Sequence, residues 1–458
     1  MSTDTLEADL ARIVGPQHVS IARADRDLHA HDDSSHPAVV PDVVVWPDST
    51  EDVSEIARVA SETGTPITAW GVASSAGGHV IPIRRGIVMN FQRMNRILEV
   101  DVGNFQAVVE PGVLRLDLED HLSKTGLFFA PDPGANATIG GMVANNAAGI
   151  RALKYGATKD NVLGLEVVLA DGSIITTGSR SVKQSSGYHL TQLFVGSEGT
   201  LGLVTRAIIK LRPIPEHVST AIVGFATVES AAAAVHDMMG MALDPAALEL
   251  LHDDHIRWMN EDEGSVFPEV PTLLIEFTDS SAASVIDRME TASEICAEHG
   301  SVGFTGVTDH QERAALWRIR HGVRHRYRRR LPGGHWIGMD VSVPVAAFPE
   351  LVAYAIECAQ SNGLPGSVLG HAGDGNLHMG IGYLPDDEEA TKRAHHVSHL
   401  LVERAIALGG TCSGEHGIGL DKRGYMVAEH GAGAIAAMRA VKAALDPQGI
   451  LNPGKVLP

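Results

Sequence analysis

The placement of glycine constrains this chain more than any other feature. Twelve of the seventy residues from 133 to 202 are glycine, at 134, 140, 141, 149, 156, 164, 172, 178, 187, 196, 199 and 202. Such spacing disfavours long helices, because each interior glycine costs about 1 kcal/mol against alanine. It favours short strands broken by turns, with bare backbone where a ligand approaches. Thr138-Ile139-Gly140-Gly141-Met142 and Gly196-Ser197-Glu198-Gly199-Thr200-Leu201-Gly202 are segments of this kind. Gly71-Val72-Ala73-Ser74-Ser75-Ala76-Gly77-Gly78-His79 is a third loop, whose N–H groups suit a diphosphate nest. None is the dinucleotide fingerprint between a strand and a helix, and no phosphate-loop lysine occurs.

Around these loops the pattern reads as α+β. The apolar run 43–46, followed by Pro47-Asp48-Ser49-Thr50-Glu51-Asp52, predicts a strand and then a helix over 53–62. Residues 87–89, 107–109 and 165–170 read as further strands. Helix and strand do not alternate regularly, which argues against a doubly wound sheet. Pro213-Ile214-Pro215 marks a domain boundary. Beyond it, helices over 228–239, 282–299 and 344–361 interleave with strands over 272–277 and 367–369, predicting an antiparallel sheet carrying helices. An Ala-rich helix over 432–445 precedes a Gly/Pro-rich end regular enough to dock onto something. The expected units are an N-terminal segment 1–34, a domain 35–215, a second domain 216–420 and a returning segment 421–458.

Composition removes whole function classes. The formal net charge of −20 repels phosphate backbones and anionic lipid, so nucleic-acid or membrane-surface binding is not the expected task. Three scattered cysteines, Cys296, Cys358 and Cys412, offer neither a disulfide framework nor the four thiolates of an ordinary iron–sulfur cluster. The first ten residues resemble neither a signal nor a transit peptide. The charge-free stretch 133–150 carries three Asn and four Gly and cannot span a bilayer. A cytoplasmic protein is expected.

The sharpest candidate site is His371-Ala372-Gly373-Asp374-Gly375-Asn376-Leu377-His378. Asp-Gly favours a two-residue hairpin turn, which would set His371 directly opposite His378 with Cβ atoms about 5 Å apart. Two imidazoles so placed can chelate a divalent ion. Gly414-Glu415-His416-Gly417 supplies a third ligand, Glu415, with His416 pointing the other way if the chain is extended there. His395 and His399, spaced i, i+4, have no third ligand evident nearby, and His29, His31 and His36 read as loop.

These segments occur in one order with others: Pro131-Asp132-Pro133, Ala137-Thr138-Ile139-Gly140-Gly141, Tyr155-Gly156, Asp160-Asn161-Val162, the 196–202 run, the two histidine segments and Ile450-Leu451-Asn452-Pro453-Gly454-Lys455. From about residue 35 onward the set resembles the FAD-dependent D-2-hydroxyacid dehydrogenases, which include D-lactate dehydrogenase of the cytochrome type, the glycolate oxidase D subunit and D-2-hydroxyglutarate dehydrogenase. The resemblance implies a two-part FAD-binding domain of the vanillyl-alcohol-oxidase type, an α+β cap domain with an antiparallel sheet, and a last segment returning to the flavin. It implies non-covalent FAD held by Gly71, Val72, Ala73, Ser74, Ser75, Gly77 and His79, and by Pro131, Asp132, Thr138, Gly140 and Gly141. Ala144, Gly149, Tyr155, Glu198, Gly199, Val204 and Asn452 complete that cradle. His371, His378 and Glu415 match the ligands of a zinc or manganese ion, His416 the general base, and Arg320 the arginine that holds the substrate carboxylate.

The implied reaction is oxidation of a small D-2-hydroxy acid, D-lactate or a relative such as glycolate, with electrons passed to a quinone, a cytochrome or an electron-transfer protein. A homodimer is compatible with it. Hydroxyglutarate-specific members place a threonine where this chain has Arg324, and a lysine two residues before Asp340 where it has Gly338; both weigh against hydroxyglutarate. Arg320, Arg324 and Arg328 share a helical face, as a solvated basic surface, a collar for an anionic substrate or a dock for an acidic partner. The rival readings are a metal-dependent hydrolase, which leaves the glycine loops unexplained, and a non-catalytic flavin-binding subunit of a larger oxidase.

Overall fold

A computed structural model describes residues 3–264, 267–321 and 323–458, apart from the side chains of residues 3, 4, 263, 318, 319, 321, 323–325 and 328. The side chains of Arg324 and Arg328 therefore lie outside the described residues. The chain divides into two compact units, one made of Met1–Gly149, Tyr155–Ile214 and Glu415–Pro458, the other of Ile150–Lys154 and Pro215–Gly414.

The first unit holds two main sheets. Three strands, Val43–Val45, Ile87–Asn90 and Ile67–Trp70, run parallel, and the short Val19–Ser20 pairs antiparallel at the edge. Val43, Ile67 and Ile87 are fully buried, as expected of a parallel sheet covered on its faces. The helix Thr50–Thr63 packs Val53, Ile56 and Ala60 into the same core. Ser49 Oγ accepts from Asp52 N at its start, and Gly64 ends it in the left-handed region. The N-terminal helix Thr3–Val14 adds Leu6 and Leu10 to that core. At the far end of the sequence, Leu451 bridges Ile67, with Asn452 N donating to Ile67 O at 2.7 Å. The regular C-terminal segment is thus one more strand-like element of this sheet. A second, antiparallel sheet is ordered Ile97–Asp101, Gln106–Val109, Leu203–Lys210, Val162–Val168, Ile174–Gly178.

His29 does not lie in a solvated loop as its polar context suggests. It follows the short helix Arg23–Leu28, is buried, and packs against Trp46 and Trp70, with its ring nitrogens on Asp25 O and the Asn90 side chain.

The second unit is one seven-stranded antiparallel sheet, in the order Ser301–Val307, His217–Phe225, Thr272–Asp279, Ala247–Leu251, Gly366–His371, Asn376–Tyr383, His335–Ser342. The helices Val228–Gly240, Ala282–Glu298, Phe348–Ser361 and Glu388–Ala407 pack on it. Strand alternation places Glu249, His371, His378 and Asp340 on one common face, since Glu249 pairs with His371, Leu369 with His378, and His378 with Asp340. Apolar neighbours on that face, Ile222, Leu251, Leu274 and Leu369, pack against Ile256, Met259, Leu316 and Tyr327 from three other helices. A row of charge is therefore sealed beside an apolar layer.

Candidate functional site

In the first unit three of the implied flavin residues, His79, Ala144 and Asn452, meet at a fourth, Glu198. Its backbone takes a left-handed φ of 52°, and its carboxylate is buried. Glu198 Oε1 accepts from Ile418 N at 2.6 Å and Oε2 from Gly419 N at 2.9 Å. Its N–H donates to Ala144 O, and its C=O accepts from Asn452 Nδ2 at 2.7 Å. Asn452 Nδ2 also reaches His79 O. Burial opposes ionisation of Glu198, but His79 and the two backbone N–H groups outweigh it, so its pKa lies below the usual glutamate value.

The glycines there have local reasons. A Cβ on Gly71 would overlap the Thr138 hydroxyl, which caps the helix Ile139–Asn145 by accepting from Gly141 N. Gly140 lies against Pro111, and Gly149, in positive φ, lies against the Asp132 carbonyl. Ser75 bonds Asp32, and Gly77 O accepts from Leu420 N. Gly199 is left-handed beside Ala69. Two of the implied residues are placed by packing: Tyr155 sits edge-on to Phe128, and Val204 pairs with Val167 inside the sheet.

Both ring nitrogens of His79 and the Oδ1 of Asn452 are buried without a hydrogen bond; Glu198 Oε1 stands 3.5 Å from His79 Nε2, an ion-pair distance only. Buried polar atoms of this kind are normally satisfied. Bare glycine backbone and orphaned polar atoms in one cradle fit a bound flavin.

The second unit carries two of the three metal-ligand candidates, His371 and His378, and Glu415 opens the last segment of the first. The turn between His371 and His378 holds four residues rather than two. His371 pairs with Asn376, and His378 pairs with Leu369, so the histidines are diagonal neighbours and not directly opposed. Asp374 N returns to His371 O, and Gly375 is left-handed against Val343 O, which leaves no room for a tighter turn. A shift of two residues keeps both imidazoles on one face, and their centroids stand 5.1 Å apart. Each has a carboxylate behind it: Glu249 Oε1 is 2.5 Å from His371 Nδ1, and Asp340 Oδ1 is 3.8 Å from His378 Nδ1. Asp340 is held in turn by Asn376 and Ser413.

The chain returns to Asp340 at Ser413, and Gly414 lies so close to Asn376 that a side chain there would overlap it. Glu415 follows by one peptide bond. His371 and His378 are the paired imidazoles of the second unit, and Glu415 is the carboxylate that the resemblance adds to them. Two imidazoles and a carboxylate fit a divalent ion and leave coordination positions open for substrate. Residues 414–416 form a bend rather than extended chain, with Gly417 at φ 82°. Glu415 and His416 therefore do not diverge: Oε1 and Nε2 are 3.9 Å apart.

Arg320 does not stand free. Its Nε donates to Glu249 Oε2 at 2.7 Å, leaving the terminal nitrogens to meet an anion. Glu249 is fully buried; burial would raise its carboxyl, yet His371 and Arg320 hold it below the usual range. Sequence reasoning missed Glu249. The signal was its standing as the sole charge in Pro245-Ala246-Ala247-Leu248-Glu249-Leu250-Leu251, because a lone carboxylate in a core strand needs a partner. His252, Asp253 and Asp254 form a second group with ligand spacing, but Arg257 already occupies Asp254.

Fold and site together define a flavin-dependent oxidoreductase. Two family models cover the chain: "FAD binding domain" over residues 41–178 and "FAD linked oxidases, C-terminal domain" over 214–456. The chain belongs to the FAD-linked oxidase family. It is 38% identical over 448 residues to a probable mitochondrial D-lactate dehydrogenase of Danio rerio, covering 97% of this chain and 90% of the relative. It is 37% identical to the glycolate oxidase subunit GlcD of Bacillus subtilis, covering 100% and 97%. The fold is similar to that of p-cresol methylhydroxylase, with a TM-score of 0.81 over 99% of this chain and 96% of that one at 18% identity. The α+β architecture, an FAD-binding domain plus a cap domain with an antiparallel sheet, is as expected. No helix among the described residues is long and apolar enough to cross a membrane.

Proposed function

We propose that this protein oxidises a D-2-hydroxy acid of the D-lactate type to the 2-oxo acid, using FAD and a divalent ion. The observation that carries the reading is the pair of imidazoles, His371 and His378, backed by Glu249, within a chain of the FAD-linked oxidase family. Relatives named as D-lactate dehydrogenase and glycolate oxidase subunit support a small 2-hydroxy acid as the substrate. When bound, the flavin would accept hydride from the substrate Cα, and the ion would polarise the α-hydroxyl.

The chain's own residues do the rest. His371, His378 and Glu415 hold the ion, while the terminal nitrogens of Arg320 make a charge-assisted contact with the substrate carboxylate. His416, 36% exposed and so within reach of substrate, takes the hydroxyl proton on its imidazole. Glu198 and Asn452 hold the cradle segments in place, and electrons leave to an external acceptor such as a quinone, a cytochrome or an electron-transfer protein. The test is anaerobic mixing of the flavoprotein with D-lactate, glycolate and larger D-2-hydroxy acids, before and after metal chelation. Bleaching of the oxidised-flavin band by one of them, lost on chelation and restored by zinc or manganese, is the expected result. A flavin that no such acid reduces would refute the reading.

A further inference from the structure

Glu249 touches neither flavin nor substrate in the proposed chemistry, yet it joins two of its parts. Oε2 accepts from Arg320 Nε at 2.7 Å, and Oε1 meets His371 Nδ1 at 2.5 Å. Glu249 is fully buried, so no solvent can replace either partner. A carboxylate can only accept, so the proton of His371 resides on Nδ1, and Nε2 presents its lone pair. The same carboxylate uses the Nε of Arg320, so only the terminal nitrogens remain to face an anion.

We infer that Glu249 is a positioning residue that fixes the metal-binding tautomer of His371 and the aim of Arg320 at once, coupling metal binding to substrate-carboxylate binding. The inference rests on the metal-dependent reading above. Its geometry predicts an asymmetry that a merely structural acid would not show. Glutamine at 249 has the same shape but offers one acceptor and one NH2. If its oxygen turns to Arg320, the NH2 faces His371 and drives the imidazole proton to Nε2, the nitrogen needed for the ion. If it flips, two donors face each other at Arg320. Neither orientation serves both partners.

The experiment uses the flavin-loaded protein with zinc or manganese as probe. For Glu249→Gln, chelator competition should show metal affinity reduced about 10- to 100-fold, with flavin content unchanged. At saturating metal, KM for the 2-hydroxy acid should rise more than kcat falls. Nitrogen-15 histidine spectra of the metal-free flavoprotein should show His371 protonated on Nδ1 in the wild type and on Nε2, or mixed, in Glu249→Gln. Glu249→Asp, which keeps the double acceptor, should recover part of both losses. Metal affinity within twofold of wild type, with the tautomer unchanged, would overturn the inference while leaving the proposed function intact. A wild-type protein that binds neither ion would remove the metal-dependent reading and this inference with it. If Glu249→Gln fails to fold, Glu249→Asp carries the test alone, because an unchanged affinity and KM there with an altered tautomer would equally overturn the coupling.

Discussion

Glu198→Gln is the substitution with the most readily worked consequence in the first unit. The wild-type carboxylate accepts two consecutive backbone N–H groups, Ile418 at 2.6 Å and Gly419 at 2.9 Å, in a site closed to solvent. Glutamine keeps one acceptor and turns an NH2 toward the other N–H, leaving a buried donor unpaired at about 1–3 kcal/mol. Taking about 2 kcal/mol, a unit of this size should melt roughly 4–8 °C lower. Glu198→Ala strips both acceptors and opens a cavity, so its loss should be at least twice as large. The pH dependence follows from the depressed pKa. The stabilisation is fully present above the ordinary value of 4.5 and is lost as pH falls through the lower folded value. The gap between wild type and Glu198→Gln is therefore widest near neutrality and narrows in acid. Thermal melts of the flavoprotein from pH 4 to 8 measure this. A Glu198→Gln protein within about 0.5 kcal/mol of wild type at pH 7 would refute the double-acceptor argument.

Two further substitutions separate roles. His416→Ala should retain flavin and metal while losing flavin reduction by at least about 100-fold, the low end for a positioned base; unchanged stopped-flow rates would remove the assignment. Burial pushes the Lys455 ammonium down to about 8 from 10.5, so the folded state carries an unfavourable term below pH 8 that fades as pH rises toward 10.5. That difference is worth about 3 kcal/mol, and Lys455→Met, which also gives up the bond to Ile81 O, should melt higher than wild type at pH 7, with the gap closing above pH 8. A Lys455→Met protein that melts lower at pH 7 would mean a counter-charge holds the ammonium.

What the sequence made legible was whatever depends on spacing and residue type. The glycine loops and the histidine pair are local patterns, and strand alternation keeps both imidazoles on one face whatever the turn length. What it hid depends on register and on long-range partners. The Asp-Gly pair favours a two-residue turn, but Gly375 is pressed onto Val343, and the hairpin closes two residues wider. Glu415 and His416 look like an extended pair, yet Gly414 and Gly417 bend the chain there. Glu249 is 122 residues from His371 in sequence, and only the order of the seven strands makes them cross-strand neighbours. Its lone charge in an apolar strand signalled that a partner exists without saying which.

Local charge then bears on how so acidic a chain would bind an anion. Among the described side chains named for the candidate centre, Arg320 brings one positive charge, and Glu249, Asp340 and the proposed ligand Glu415 bring three negative ones, a formal −2. Arg320 is moreover already paired with Glu249. A substrate carboxylate entering that field meets net repulsion, and in a poorly solvated site such repulsion is much larger than in water. A divalent ion at the proposed site of His371, His378 and Glu415 would cancel the excess. Affinity for the 2-oxo acid product, a carboxylate that cannot be oxidised further here, should therefore depend on the ion and not on Arg320 alone. Titrating pyruvate into the metal-loaded and chelator-stripped flavoprotein by calorimetry measures this. The stripped form should bind at least about tenfold more weakly, equivalent to about 1.4 kcal/mol. Equal affinity in the two forms would mean that the arginine outweighs three carboxylates, and that the candidate centre takes no part in holding the anion.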